Sequence, residues 1–246
     1  MKRLLLGPNA VDAALASKGT AVHMLIVAAG DERSHAQRLK RAEALRIPVE
    51  PKPRRELDAM AGAERHQGLI AIAGDYPYVE LETVLAQVPG PLLLVALDQI
   101  ADPHNLGAIV RSAVAFGADA VITLKDRAAP VTAAAVRASA GTTEQARIAR
   151  VTNLARTLGM LKEAGLTVVG LDGEGAETLD DLSYGDAGLV LVVGSEGEGM
   201  RRLVRETCDR VARIPMPGTA ESLNASVAAG IALYAASRAR PPQRGA

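Results

Sequence analysis

Apolar positions along this chain cluster in short runs, separated by stretches in which they recur every three or four residues. The runs at 92–97, 120–124, 166–171, 189–193 and 211–214 have strand length. The periodic stretches at 106–116, 131–140, 153–163, 201–208 and 224–238 read as helices. Strands that are apolar on both faces belong to a parallel sheet covered by helices, so the pattern predicts an α/β fold. Ligands of such sheets sit in the crevice beyond the carboxyl ends of the strands, which directs attention to the loops that follow each apolar run.

The first 73 residues carry a smaller alternation, with helices expected at 9–17, 35–45 and 54–60 and strands at 22–27 and 69–73. Between 74 and 91 lie Gly74, Pro77, Pro89, Gly90 and Pro91 around one apolar stretch at 81–88, which reads as an interdomain linker. The expected organisation is a small α/β domain at 1–73, a linker at 74–91 and a parallel-sheet domain at 92–246.

Composition narrows the picture. Aromatic residues are 2% of the chain and Trp is absent, so the core must be built from Ala, Val, Leu and Ile. One cysteine, Cys208, excludes an internal disulfide framework, and with four scattered histidines it suggests no metal cluster. The opening Met1-Lys2-Arg3 is followed by only three apolar residues before Gly7-Pro8, unlike a signal peptide. Nor does any run approach the roughly 20 apolar residues of a membrane span, and a cytoplasmic location is expected. Net charge is zero, which argues against indiscriminate coating of nucleic acid. Yet Arg33, Arg38, Lys40, Arg41, Arg46, Lys52, Arg54 and Arg55 face only Glu43 and Glu50 within one window. That window reads either as a solvated face or as a phosphate-contacting patch.

Three loops after strands are richer in polar groups than turns require. The first, Asp98-Gln99-Ile100-Ala101-Asp102-Pro103-His104-Asn105, places Asn105 where a helix begins, as an N-cap or as a functional amide. Arg111 follows six positions later, off the Asn105 face but long enough to reach the loop mouth. His104 reads as a turn residue. The second, Gly194-Ser195-Glu196-Gly197-Glu198-Gly199-Met200, lets backbone approach a ligand closely. It has neither the GxGxxG spacing nor the P-loop Lys-Ser/Thr, which disfavours a nicotinamide-dependent oxidoreductase. The third, Ile214-Pro215-Met216-Pro217-Gly218-Thr219-Ala220-Glu221-Ser222-Leu223-Asn224, leads into the last helix with Ser222 and Asn224 at its entry, as caps or as site residues.

In this order, and together with Gly7-Pro8-Asn9-Ala10-Val11, Arg65-His66-Gln67-Gly68 and Arg150-Val151-Thr152-Asn153-Leu154-Ala155-Arg156, the three loops resemble the SpoU/TrmH class of RNA ribose 2′-O-methyltransferases. The similarity is nearest to the bacterial enzymes that methylate a guanosine of 23S ribosomal RNA. It implies a catalytic domain with a deep trefoil knot (SPOUT type), a homodimer, and S-adenosyl-L-methionine as cofactor, held largely by backbone around Gly194, Ile214 and Leu223. It also implies that the first unit binds RNA, which favours phosphate contact by Arg38, Lys40, Arg41, Arg54 and Arg55; His66 then reads as a linker or RNA-facing residue, and Cys208 as a core thiol.

Methyl transfer to an alcohol needs in-line placement of the hydroxyl and a path for its proton. Asn105, Ser222 and Asn224 offer neutral hydrogen bonds to a ribose and its phosphate, and Glu196 a carboxylate to orient an arginine. The resemblance implies that Arg111 activates the hydroxyl; because guanidinium groups titrate above about 12, gripping phosphate and polarising the oxygen is the simpler role. Two other functions share these residues in part: transfer-RNA ribose methylation, and non-catalytic RNA binding in ribosome assembly.

Overall fold

A computed structural model describes residues 3–88, 90–220 and 222–240. Pro89 of the expected linker, Glu221 of the third loop, and residues 1–2 and 241–246 lie outside them. The chain opens with β1 (Arg3–Leu6), α1 (Pro8–Ala16), β2 (Val22–Ala28), α2 (Ala36–Ala44), β3 (Val49–Lys52), α3 (Arg54–Ala61) and β4 (Leu69–Ala73). It continues through α4 (Leu81–Gln87), β5 (Leu92–Leu97), α5 (Pro103–Ala115), β6 (Ala120–Leu124), α6 (Ala133–Ala138), β7 (Ile148–Val151) and α7 (Leu154–Glu163). The last elements are β8 (Leu166–Leu171), β9 (Glu177–Thr178), β10 (Gly188–Val193), α8 (Arg202–Thr207), β11 (Arg210–Arg213) and α9 (Ala225–Ala239). Two compact units result, one of Met1–Pro77 with Val131–Gln145, the other of Tyr78–Pro130 with Ala146–Ala246.

The first unit holds a four-stranded sheet in the order β1-β4-β2-β3, in which β4 is antiparallel to β1 and β2, and β3 runs parallel to β2. Strand β3 reads Val-Glu-Pro-Lys; its proline suits an edge position, and its mixed polarity hides it from a periodicity argument. The expected linker contains α4, which belongs to the second unit.

The excursion 131–145 is expected from sequence to stay with the second unit, but it joins the first. Its last turn buries Glu144, whose carboxylate accepts from Arg3 Nη1 at 2.7 Å and Nη2 at 3.2 Å and from Thr20 Oγ1 at 2.7 Å. Gly141, at φ +89°, lies so close to α1 that a Cβ would come within 2.8 Å of the Asn9 carbonyl oxygen. Ser139, fully buried, donates to the Val136 carbonyl at 2.8 Å. A polar string that reads as surface is therefore interior, because its partners come from the chain's first 20 residues.

In the second unit seven strands form an entirely parallel sheet in the order β7-β6-β5-β10-β8-β11-β9. Every residue of β5 and β10 is buried. Leu92, Leu94 and Ala96 share a core with Leu154, Leu158, Leu161 and Val204 of α7 and α8. Alternation along the strand turns Leu93, Val95 and Leu97 to the opposite face. Helix α9 packs on α5 and on β10. The register sets Leu97 of β5 beside Val193 of β10, and Val193 beside Leu171 of β8, so three strand ends are flush and their loops emerge together.

Removing one partner of a buried ion pair leaves an uncompensated charge, at a cost of about 3–5 kcal/mol. Glu144→Ala is expected to lower the stability of the first unit by that order in urea unfolding; a change below about 1 kcal/mol would mean the pair is as weak as a surface one.

Candidate active site

The first loop starts at Asp98, whose amide extends the strand ladder to the Val193 carbonyl at 2.8 Å. Its carboxylate is completely buried, accepts hydrogen bonds from the Arg201 backbone N–H and Nε at 2.8 Å each, and forms an ion pair with Nη2 at 2.6 Å. Helix α5 is capped by Asp102, which accepts from the His104 amide at 2.9 Å, with Pro103 in the first turn. Asn105 is therefore not the cap. It lies inside the first turn, buried, with its side-chain oxygen turned to another amide.

That amide is Asn224, the N-cap of α9. Asn224 Oδ1 accepts from the Ser226 N–H at 2.9 Å, the Ser226 hydroxyl at 2.5 Å and the Val227 N–H at 3.4 Å. With the oxygen committed to the helix, Nδ2 must face away from it. It donates to Asn105 Oδ1 at 3.1 Å and to Glu196 Oε1. One side chain thus joins all three loops. Asn224 is both a cap and a junction, so the two readings of the sequence are combined in it.

Glu196 arrives from a tight turn. Ser195 and Gly199 exchange both backbone hydrogen bonds at 3.0 Å, with Gly197 and Gly199 at positive φ between and at the end. The turn folds back on Gly194 so closely that a Cβ there would lie 2.2 Å from the Gly199 carbonyl carbon. The expectation that Glu196 orients an arginine is not met: its partner is Asn224, and the nearby Arg201 is held by Asp98. Arg111 and Ser222 are exposed and make no hydrogen bond or ion pair to another described residue, so the structure does not tie them to the junction. His104, expected as a turn residue, instead lies exposed in the first helical turn of α5, which begins at Pro103.

Beside the junction, Gly194 is buried, Ile214 half-buried and Leu223 exposed. From Ile214 to Leu223 the described backbone forms no hydrogen bond to other described groups. Unpaired amides and carbonyls beside two aliphatic side chains, with no charged pocket, fit a nucleoside bound through backbone groups. Among the described residues no cluster of three or more His, Cys, Asp or Glu side chains could hold a metal ion, and no helix is long and apolar enough to cross a membrane.

In the first unit the basic window is less free than its sequence suggests. Arg38 pairs with Asp12 at 2.6 Å and Arg54 with Asp31 at 3.0 Å, carboxylates outside that window or at its edge, and Lys52 with Glu50 at 3.0 Å. Lys40, Arg41 and Arg55 remain exposed without such partners. His66 is buried, bonded to Asp58 at 2.8 Å and accepting from the Gly68 amide at 3.1 Å, so it is neither linker nor RNA-facing. Asp98 and Arg201 were not singled out from sequence. The available signal was a carboxylate directly after an apolar strand and an arginine directly after the glycine-rich turn.

Residues 92–234 match the SpoU rRNA Methylase family, and residues 4–79 match the domain described as RNA 2′-O ribose methyltransferase substrate binding. The chain belongs to the SpoU rRNA methylase family. As a SpoU protein it is an RNA ribose methyltransferase, with an N-terminal substrate-binding domain before its catalytic one. It is 49% identical over 223 residues to an "Uncharacterized tRNA/rRNA methyltransferase" of Mycobacterium avium, spanning 90% of this chain and 72% of that protein. Among solved structures it is similar to the SpoU methyltransferase AviRb from Streptomyces viridochromogenes in complex with AdoMet, with TM-score 0.80, 26% identity, 96% of this chain and 90% of that one. An AdoMet-bound rRNA methyltransferase from Sinorhizobium meliloti gives TM-score 0.80 at 27% identity, covering 96% and 87%.

Two outcomes follow from the site's packing. Gly194→Ala, with no room for its methyl, is expected to yield insoluble protein or a melting temperature lower by more than 10 °C, roughly what 3 kcal/mol does to a domain of this size; a wild-type melt would show that the turn can move. Burial, then the Asp209 carboxylate, pushes the Cys208 thiol up to about 11. Its thiolate is therefore scarce at pH 8, and labelling by a thiol reagent should be much slower than for free cysteine; an equal rate would contradict this environment.

Proposed function

We propose that this SpoU protein transfers a methyl group from S-adenosyl-L-methionine to the ribose 2′-hydroxyl of a guanosine in 23S ribosomal RNA. The observation that carries the reading is the Asn105–Asn224–Glu196 junction at the flush ends of β5 and β10. When bound, the cofactor supplies an electrophilic methyl on a sulfonium.

The roles follow from what each group has left to offer. Asn224 spends both amide hydrogens on Asn105 and Glu196 and holds them in register. Asn105 keeps its own amide N–H groups for a ribose or phosphate oxygen. Glu196 keeps its second carboxylate oxygen to accept a hydrogen bond from the substrate hydroxyl, and Ser222 adds an exposed hydroxyl. Arg111, a cation with no protein partner among the described residues, grips phosphate and polarises the reacting oxygen. Backbone at Gly194, Ile214 and Leu223 would hold the cofactor. Arg38, Lys40, Arg41, Arg54 and Arg55 of the substrate-binding domain would meet RNA phosphates, with the unpaired Lys40, Arg41 and Arg55 contributing most.

A knotted C-terminal path is part of the proposal. Strand β11 lies beyond β8, yet the chain returns from it to place α9 against α5 and β10; such threading is rare. So is a homodimer, whose face we place on α9. Val227, Ile231 and Tyr234, spaced four and three residues apart, are 49%, 39% and 54% exposed, an apolar stripe that a second copy would cover.

Purified protein incubated with labelled S-adenosyl-L-methionine should label unmodified 23S RNA at one site resistant to alkaline cleavage. Label in transfer RNA alone would overturn the substrate, and cofactor binding without transfer to any RNA would revive a non-catalytic role. If Arg111 acts by charge, Arg111→Lys retains appreciable turnover while Arg111→Ala loses about a hundredfold or more; equal losses argue against it. Ile231→Asp should convert a dimer to monomers in light scattering, and a monomeric wild type would refute the dimer.

A further inference from the structure

A cavity of about 200 Å³ opens at the carboxyl edge of the second unit's sheet, lined by Thr152, Asn153, Leu154, Arg201, Leu203 and Val204 among others. It adjoins the Glu196 turn, because Arg201 follows that turn directly in sequence. We propose that this cavity is a phosphodiester subsite for a nucleotide flanking the target ribose, with Arg201 as its RNA-contacting residue and Asp98 as the positioning residue that aims it. The inference rests on the reading of the chain as an RNA methyltransferase.

Three observations support it. The Arg201 guanidinium spends Nε and Nη2 on Asp98 and leaves Nη1 without a partner among the described residues, while its side chain is 42% exposed. A carboxylate with no solvent exposure is an expensive anchor, tolerated only when its hydrogen bonds are satisfied. Asp98 meets that condition with two hydrogen bonds and an ion-pair contact to one residue, which together fix the orientation of the guanidinium. Preorganising a planar donor in this way suits a phosphate oxygen.

The rest of the lining has matching chemistry. Asn153 commits its side-chain oxygen to the Arg156 amide at 3.1 Å, so its NH₂ is the end that remains free. The Thr152 hydroxyl is exposed and carries no described bond. No carboxylate lines the cavity. Leu203, 57% exposed, and Val204 form an apolar wall against which a ribose or base face can lie.

The test measures binding of unmodified 23S RNA transcript at several salt concentrations, its KM and kcat, and calorimetric affinity for S-adenosyl-L-methionine. Arg201→Gln should raise KM for RNA severalfold and lower the slope of log K against log salt by about 0.7–0.9, the value of one phosphate contact, with cofactor affinity unchanged. Arg201→Lys should restore the slope but only part of the affinity. Asp98→Asn should raise KM through a mobile arginine; if Arg201→Gln does not fold because it strands the buried Asp98 carboxylate, the double variant Asp98→Asn/Arg201→Gln takes its place in the same measurements. An unchanged slope in Arg201→Gln would overturn the subsite, as would cofactor affinity falling in step with RNA affinity, since that marks a purely structural role. Failure of the wild type to methylate any RNA would sink the broader function instead, while the slope still reports on the contact.

Discussion

A single side-chain amide cannot turn both ends toward the same helix, and that constraint organises the meeting of three loops at one edge of the second unit. Asn224 gives its oxygen to the first turn of α9, so its nitrogen is directed outward, onto Asn105 and Glu196. Each of these sits where it does for a backbone reason. Asn105 follows a helix start already capped by Asp102, which frees its side chain from capping. Glu196 rides on a turn that closes only because Gly194 has no Cβ. Loss of any of these conditions would leave polar groups facing one another without a shared geometry.

The parallel sheet supplies the platform. Strand ends in register at Leu97, Val193 and Leu171 bring loops from distant parts of the sequence to one edge. Asp98 is then one step past the end of β5 and Gly194 one step past the end of β10, so a carboxylate from one loop reaches an arginine 103 residues away. Two polar connections, Asn224 to its neighbours and Asp98 to Arg201, hold the loops together where the apolar core stops. Helices α7 and α8 pack with each other and share the core beside that edge, and α5 packs with α9; this leaves the polar groups of the junction on short loops between rigid elements.

Much of this was legible in the residue pattern, and the failures have common causes. The long apolar runs located β5, β6, β8 and β10 within a residue, because strands buried on both faces leave few polar positions to confuse the reading; β11, Arg-Val-Ala-Arg, was placed within a residue despite its polar ends. Strand β3, with its proline, and β7, Ile-Ala-Arg-Val, escaped because short strands with polar positions carry too little periodicity. The basic window looked unopposed only because Asp12 and Asp31, which neutralise Arg38 and Arg54, lie outside it in sequence. His66 was misread since nothing local marks a histidine as buried.

By itself the sequence determined the fold class and marked the three polar loops that follow strand ends, for these depend on local periodicity and on residue types that only certain backbones accept. Tertiary structure decided which polar groups meet. Asn105 became a partner rather than a cap, Glu196 found an amide rather than an arginine, and the 131–145 excursion joined the first unit through Glu144 and Arg3, 141 residues apart. The physical reason is the same in each case: burial repeats along a strand or helix and can be read locally, whereas a hydrogen bond between distant loops exists only once the sheet has brought their strand ends side by side.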